Sequence, residues 1–246
     1  MKTHKIFPVT LVSMLLITLL ANGTPVVSGA PAEIPAPADP QALPAASIDI
    51  STATSSSAAN GQAIIIDHTC TDLSQIPDYW IERARELSIH YAHTSHGSQV
   101  IANLSYVENQ NSLYDYSRFT AGSNPPSSLS SCDAGTLCIY DGNPPETYIE
   151  PNDYWYGDPG RNRTRAVADT GLFNYSMWSW CGQASSYSEA LINEYLDTML
   201  QLESEYPTMR FILMTGHTDG TSGSTLDRNN DMIRQFAIDN GMVLFD

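Results

Sequence analysis

Apolar residues along the chain recur at two spacings, one typical of buried strands and one typical of helices. Short, nearly continuous apolar runs, which predict strands covered on both faces, occupy residues 63–66, 88–92, 177–181, 209–214 and 242–245. Apolar side chains at helical spacing occupy residues 76–87, 97–107, 163–173, 185–206 and 226–239. Strands and helices are therefore expected to alternate, and Gly241 is the predicted C-cap of the last helix.

This alternation predicts the fold class. Strands joined by helical crossovers form a parallel sheet covered on both faces, so we expect an α/β protein, a three-layer α/β/α sandwich with a mainly parallel, flavodoxin-like sheet. One segment departs from the pattern, because the apolar residues 137–140 precede Asp141-Gly142, which predicts the arm of a hairpin. In a parallel sheet, ligands bind beyond the carboxyl ends of the strands. The residues that follow each strand are therefore the candidates for chemistry.

The first 61 residues differ in composition from the rest of the chain. A basic start at Lys2 and Lys5, an apolar run over residues 8–20 and small residues at 28–30 predict a secretory signal peptide over residues 1–30. Residues 31–61 are rich in Ala, Pro and Ser and contain no aromatic residue, so we expect a disordered linker. The α/β domain is expected to span residues 62–246, in a protein that is secreted or associated with the cell envelope.

The charge balance excludes some partners. Asp and Glu number 27 against 11 Lys and Arg, which gives a net charge of −16. Such an acidic surface repels phosphate groups, so neither a nucleic acid nor an anionic membrane surface is expected as a partner. After the predicted signal peptide, no run of residues is apolar enough to predict a membrane span.

Export would place the four cysteines in an oxidising compartment. Cys132 and Cys138 bracket five residues and are expected to close a small loop, which leaves Cys70 to pair with Cys181. Four cysteines allow three pairings, however, and the sequence does not choose among them. A zinc site is less favoured for these cysteines, because they are scattered and form no Cys-x-x-Cys motif.

Three predicted strands are each followed by a polar turn that contains glycine. These turns are His93-Thr94-Ser95-His96-Gly97-Ser98-Gln99, Cys181-Gly182-Gln183 and Thr215-Gly216-His217-Thr218-Asp219-Gly220. A serine on a strand-to-helix turn has its hydroxyl in the crevice, beside backbone N–H groups that can bind an oxyanion. Histidine supplies the base that such a hydroxyl needs near neutral pH. The pattern predicts a serine nucleophile activated by histidine, with Ser95 favoured and Ser98 as its rival.

The order of these turns resembles the SGNH (GDSL-type) hydrolase superfamily over residues 88–245. The family's Gly-Asp-Ser block corresponds here to His93-Thr94-Ser95, its oxyanion glycine to Gly182, and its Gly-x-Asn-Asp block to Gly216-His217-Thr218-Asp219. Thr94 and Thr218 replace the family's aspartate and oxyanion asparagine. The resemblance implies an esterase or deacetylase that needs no cofactor and acts on an extracellular ester, either a small molecule or an acylated polysaccharide.

The resemblance also implies catalytic roles. Ser95 attacks the carbonyl carbon, His217 or His93 accepts its proton, and Asp219 orients the histidine. The family's Asp-x-x-His block near the C-terminus has no counterpart before Asp246. Either one of these two histidines replaces it, or the chain is a truncated product, which is the interpretation we favour. The residues expected to bind the oxyanion or the substrate are Gly97, Gly182, Gln183 and Thr218.

Two other functions use overlapping residues. His93 and His96, together with His217 and Asp219 or with Asp67-His68, could hold zinc or another divalent ion that activates water. Alternatively, the aromatic residues of 154–156 and 178–180 form a sugar-stacking platform in a non-catalytic carbohydrate-binding module. Cys181 is the least favoured nucleophile, because export favours its use in a disulfide.

Overall fold

A computed structural model describes residues 62–218 and 224–246. The strands are β1 Ile64–Ile66, β2 Ser88–His93, β3 Tyr116–Thr120, β4 Leu137–Asp141, β5 Tyr175–Ser179, β6 Arg210–Met214 and β7 Val243–Phe245. The α-helices are α1 Asp78–Ala84, α2 Ser98–Glu108, α3 Gly157–Ala168, α4 Glu189–Glu205 and α5 Ser224–Asn240. Short 3₁₀ helices occupy His68–Cys70, Leu73–Gln75, Ser95–Gly97, Ser112–Tyr114, Pro151–Asp153 and Gly182–Ser185. The predicted signal peptide (1–30), the predicted linker (31–61) and Asp219 lie outside the described residues.

The strands form one sheet in the order β1-β7-β6-β5-β2-β4-β3, and every strand pairing in the described residues is parallel. In the middle of the sheet, Ala92 of β2 lies opposite Trp178 of β5, and Ser88 lies opposite Cys138 of β4. Helices cover both faces. The predicted three-layer α/β/α fold with a parallel sheet is therefore confirmed.

The two faces of the sheet carry separate apolar clusters because side chains alternate along each strand. Tyr91 and Met177 point to the layer that contains α1 and α2. Ala92 and Trp178, one position further along, point to the layer of α3, α4 and α5. Strands that are apolar on both faces are what a parallel sheet between two helical layers requires.

Local sequence explains where several helices begin and end. Pro77, which has no N–H to leave unpaired, directly precedes α1. The Ser188 side chain caps α4 by accepting a hydrogen bond from the Leu191 N–H. Gly241 follows α5 with φ +64°, a conformation that favours glycine at a helix end. The predicted C-cap is therefore confirmed.

The predicted hairpin arm at residues 137–140 is wrong. These residues lie in β4, which pairs in parallel with β2 on one side and β3 on the other. Asp141 is the last residue of the strand, and Gly142 then leaves the sheet with φ +113°. The dipeptide therefore marks the end of a parallel strand at the edge where ligands bind, and the chain does not turn back along it.

The predicted sugar-stacking platform is also wrong. Tyr154, Trp155, Trp178 and Trp180 are all at most 1% exposed. Trp178 and Trp180 each donate their indole N–H to a backbone carbonyl. The three tryptophan rings pack against one another, so their faces are not open to a ligand. Of these two segments' aromatic residues, Tyr156 alone is exposed.

One of the two predicted disulfides forms. Cys132 and Cys138 are bonded, with their Cα atoms 5.7 Å apart. The predicted Cys70–Cys181 bond is wrong, because both cysteines are free. Cys70 follows the edge strand β1, whereas Cys181 follows β5, and β7 and β6 lie between them. Three strand spacings amount to about 14 Å, twice the roughly 7 Å that a disulfide can span between Cα atoms.

None of the helices in the described ranges combines the length and the apolar character needed to cross a bilayer.

Candidate active site

The crossovers leave β2 and β5 in opposite directions, which opens a crevice between these neighbouring strands. From β2 the chain runs through α2 to β3 and β4, and from β5 it runs through α4 to β6 and β7. Ligands of parallel sheets bind at such a switch point, beyond the carboxyl ends of the strands. Because β6, β5 and β2 are adjacent, the three turns that were predicted to carry chemistry follow neighbouring strands.

Side chains from all three turns meet at Cys181. Its Sγ lies 3.1 Å from Nδ1 of His96 and 3.2 Å from Oγ of Ser95. The imidazole of His217 packs against that of His96, with ring centroids 3.8 Å apart. One nitrogen of each ring and the sulfur lie within 4.8 Å of one another. We call Ser95, His96, Cys181 and His217 the thiol cluster.

The thiol cluster is accessible to a ligand. Ser95 and His96 are exposed, while Cys181 and His217 are half-buried. The cluster therefore combines open access from the crevice with partial shielding of its sulfur, which is the environment in which reactive cysteines occur.

The surroundings of Cys181 favour the thiolate. Partial burial by itself raises the pKa of the thiol, but hydrogen bonds from Ser95, His96 and the Gly182 N–H, together with His217, outweigh it and lower the pKa to about 6. The sulfur is then mainly ionised at neutral pH, where it is both the better nucleophile and the better metal ligand.

Close packing fixes the turn after β2. A Cβ added at Gly97 would lie 2.3 Å from Cβ of His93, so only glycine allows the turn to fold back over the strand end. The Tyr91 hydroxyl donates to the Gly97 carbonyl, and Ser98 donates to the Ser95 carbonyl. These contacts hold the backbone that carries Ser95. The hydroxyl of Ser98 is used in this turn, as a donor to the Ser95 carbonyl.

The turn after β6 is held by Asn230 of α5. Its Oδ1 accepts from the Gly216 N–H at 2.8 Å, and its Nδ2 donates to the Gly216 carbonyl at 3.0 Å. Nδ1 of the next residue, His217, lies 3.2 Å from the Thr218 carbonyl. A carbonyl oxygen can only accept, so Nδ1 carries the hydrogen in the neutral ring and Nε2 keeps its lone pair.

His93 faces away from Ser95. Its Nδ1 donates to the Thr94 carbonyl at 2.7 Å, and its Nε2 lies 3.0 Å from Oδ1 of Asp141. The predicted contact with Ser95 is therefore not formed, because both ring nitrogens are engaged elsewhere. His93 is buried, and its place beneath the turn makes it a support for Ser95 and His96.

Asp141 links His93 to Arg118, whose guanidinium binds the other carboxylate oxygen. Burial raises the pKa of Asp141, but His93 and Arg118 outweigh burial and hold the pKa below its usual value. The ionised carboxylate thus anchors the buried histidine under the turn. Sequence reasoning missed this pair because Asp141 was assigned to a hairpin turn and Arg118 lies in a segment for which no strand was predicted.

The predicted oxyanion and substrate residues lie close to the thiol cluster. Gly182 is exposed, and its N–H helps to lower the pKa of the Cys181 thiol. Gln183 accepts a hydrogen bond from the Cys181 N–H at 2.8 Å, so its side chain holds the turn that carries the thiol. Thr218 is exposed next to His217.

The metal-binding set proposed from the sequence comes together only in part. His96 and His217 join the thiol cluster, with Cys181 as the third group. His93 is held by Asp141, and the Asp67 carboxylate accepts from the N–H and hydroxyl of Thr69 instead. One sequence signal pointed to Cys181. It stands two residues after β5, as Ser95 stands two residues after β2 and His217 three after β6.

Comparison of the chain with protein-family models, with curated proteins and with solved structures finds no match.

Proposed function

We propose that the protein is a hydrolase that cleaves esters by covalent catalysis, with Cys181 as the nucleophile. The observation that carries this proposal is the 3.1 Å contact between its Sγ and Nδ1 of His96, with His217 packed against the same ring. A nucleophile within hydrogen-bond reach of an imidazole base is the signature of thiol and hydroxyl catalysis. The Ser95 hydroxyl is hydrogen-bonded to the sulfur rather than to an imidazole, so Cys181 is favoured over Ser95 as the nucleophile.

The reaction proceeds in two halves. The thiolate attacks the ester carbonyl carbon, the π electrons move to the carbonyl oxygen, and the tetrahedral intermediate collapses to a thioester as the C–O bond breaks. The leaving alkoxide takes a proton from an imidazolium, that of His96 or His217. Water then attacks the thioester while the same imidazole removes its proton, and the C–S bond breaks to release the acid and restore the thiolate.

The donors around the sulfur define the oxyanion site in this proposal. The Ser95 hydroxyl lies 3.2 Å from Sγ, and the Gly182 N–H is close enough to the thiolate to help lower its pKa. When the sulfur attacks, its negative charge passes to the carbonyl oxygen beside it. The same donors can follow that charge, which is how preorganised hydrogen bonds lower a barrier.

We also propose that the chain is a divergent relative of the SGNH hydrolases. It is supported by the parallel three-layer fold and by three turns that meet in the family's order at one crevice. In this interpretation, the thiol of the second turn has taken over the attack. Ser95 as nucleophile is the second candidate, favoured by its exposed hydroxyl on the strand-to-helix turn.

We further propose that the substrate is an extracellular ester, an acylated polysaccharide or a smaller molecule. The disulfide between Cys132 and Cys138 supports an oxidising compartment, and the signal-peptide pattern of residues 1–30 supports export.

Turnover of p-nitrophenyl acetate by the metal-free full chain tests the proposal. We expect Cys181→Ala to lower kcat by at least about 100-fold, while Cys70→Ser, which removes the other free thiol of the described residues, leaves it unchanged. Peptide mapping should find iodoacetamide on Cys181. If Ser95→Ala abolishes turnover and Cys181→Ala does not, Ser95 is the nucleophile. Activity that survives both substitutions contradicts both candidates.

A further inference from the structure

We propose that His96, Cys181 and His217 bind one zinc ion, which blocks the thiol until it is removed. Only the blocking effect rests on the proposed function. The binding itself rests on the three side chains and can be measured without a substrate.

The three groups are ligands that zinc prefers. Catalytic and regulatory zinc sites use three protein ligands from Cys, His and carboxylate groups, and leave a fourth position open. With Zn–S near 2.3 Å and Zn–N near 2.0 Å, the ligand atoms of a tetrahedral site lie about 3.3–3.6 Å apart. Here the His96 Nδ1–Cys181 Sγ distance is 3.1 Å, and all three ligand atoms lie within 4.8 Å of one another. These separations bracket those of a tetrahedral site.

A second observation points to an ion. Nε2 of His217 is buried, and no hydrogen bond of good geometry satisfies it in residues 62–218 and 224–246. Since Nδ1 faces the Thr218 carbonyl, Nε2 of the neutral ring keeps a lone pair. A buried lone pair without a donor is unfavourable in an apoprotein, whereas a bound cation would satisfy it.

The supports of the three ligands resemble the outer shell of a metal site. Gln183 holds the Cys181 backbone, Asn230 holds the peptide before His217, and Ser95 donates to the sulfur itself. Such outer hydrogen bonds fix the orientation of ligands and raise metal affinity. The net charge of −16 adds a long-range attraction for cations.

Zinc would suppress the thiol chemistry by occupying the electron pair that attacks the ester. Binding needs the thiolate, so any proton still on Cys181 leaves as the Zn–S bond forms. The bound sulfur is also less open to oxidation, which is the main hazard for a low-pKa thiol outside the cell. Loss of the ion would then switch the nucleophile on.

Metal titration of the full chain tests the binding. After chelation and desalting, zinc is titrated against a chromophoric competitor, and Co²⁺ is used to detect a thiolate-to-metal charge-transfer band. We expect one ion per chain. Cys181→Ser should remove the band, and His96→Ala or His217→Ala should weaken zinc binding at least tenfold. The matched controls, Cys70→Ser and the exposed His68→Ala, should bind zinc as the unmodified chain does.

The outcomes separate this inference from the proposed function. Zinc binding that does not change in Cys181→Ser, or the absence of binding, overturns the metal site even if thiol-dependent turnover is found. Tight binding with no thiol-dependent turnover in the metal-free chain keeps the site and contradicts the proposed function. An ester hydrolysis rate that rises with added zinc overturns the blocking role, whereas a rate that falls with one equivalent supports it.

Discussion

The two free cysteines of the described residues differ in what surrounds their sulfur atoms. Cys181 is surrounded by the Ser95 hydroxyl, the His96 and His217 rings and the Gly182 N–H. Cys70 packs beside the apolar cluster that contains α1. One residue type therefore has two different environments in one chain, set by the neighbours that the fold brings to each.

This difference predicts the pH dependence of alkylation. The thiolate is the reacting form, so the rate at Cys181 should rise with pH and reach half its maximum near pH 6. Iodoacetamide labelling of the metal-free chain, followed by mass spectrometry, measures both cysteines in one experiment. His96→Ala should move the Cys181 midpoint upwards, because a hydrogen bond to the thiolate is lost. A midpoint above about 8 for Cys181 in the unmodified chain would contradict this environment.

Asp141→Asn should destabilise the fold strongly. The substitution removes the charge that Arg118 and the buried His93 share, and breaking a buried pair costs about 3 kcal/mol or more. The control is Asp158→Asn, whose carboxyl is 85% exposed beside Arg161 and should change stability by less than about 1 kcal/mol. Urea unfolding measures both variants. Equal effects would show that Asp141 does not anchor His93.

Among single residues, the sequence predicted which turns meet better than it predicted which side chains make contact. Ser95, His217 and Gly182 follow strands, and that position alone predicted their common crevice. Cys181 was not favoured as a member of this site because it was expected to form a disulfide with Cys70. The distance between β1 and β5 excludes that bond, and the sequence does not show this distance. The His93–Asp141 contact joins residues 48 positions apart in the sequence, and no local pattern predicts such a contact.

At the scale of elements, Gly97 sets how closely the turn after β2 approaches its support, whereas Gly182 has open space around it. At Gly97 an added Cβ would meet His93 at 2.3 Å, whereas at Gly182 nothing lies within 4 Å. Gly97→Ala should therefore lower the free energy of unfolding by about 1–3 kcal/mol, since the rigid His93 Cβ cannot yield. Gly182→Ala should lower it by less than about 1 kcal/mol. Denaturant midpoints compare the two, and an unaffected Gly97→Ala variant would be inconsistent with the packing.

Element prediction succeeded where apolar periodicity was strong and failed at one edge of the sheet. The helix α4 and the central strands β2, β5 and β6 were found because they are buried. The strand β3 was missed because Tyr116–Thr120 is largely polar and partly exposed, as edge strands are. Without β3, the parallel partner of β4 was unknown, and Asp141-Gly142 was therefore assigned to a hairpin turn.

Across the whole molecule, a buried histidine in the middle of the sheet couples stability to pH. His90 accepts from the Ser176 hydroxyl at 2.8 Å and donates to the Gly142 carbonyl at 3.0 Å. The Tyr154 hydroxyl donates in turn to Ser176. Burial lowers the pKa of His90 from 6.5 to about 4, although the Gly142 hydrogen bond opposes the shift.

The sign of the effect follows from proton binding. Between pH 6.5 and about 4 the unfolded chain binds a proton that the folded chain does not, so stability should fall as pH falls through this window. The expected loss is on the order of 2–3 kcal/mol. Urea unfolding at several pH values measures it. His90→Gln should be less stable at neutral pH but should lose less on acidification, and an equal loss in both chains would exclude His90 as the cause.

The short spacing of the bonded cysteines affects how the whole chain matures. Cys132 and Cys138 are separated by six positions, and loop-closure entropy favours such a short ring over the longer rings that any pairing with Cys70 or Cys181 would close. Early oxidation of this pair leaves only two thiols, on turns that the finished sheet keeps apart. Because these turns are separated by three strand spacings, the two remaining thiols cannot oxidise each other within the folded chain.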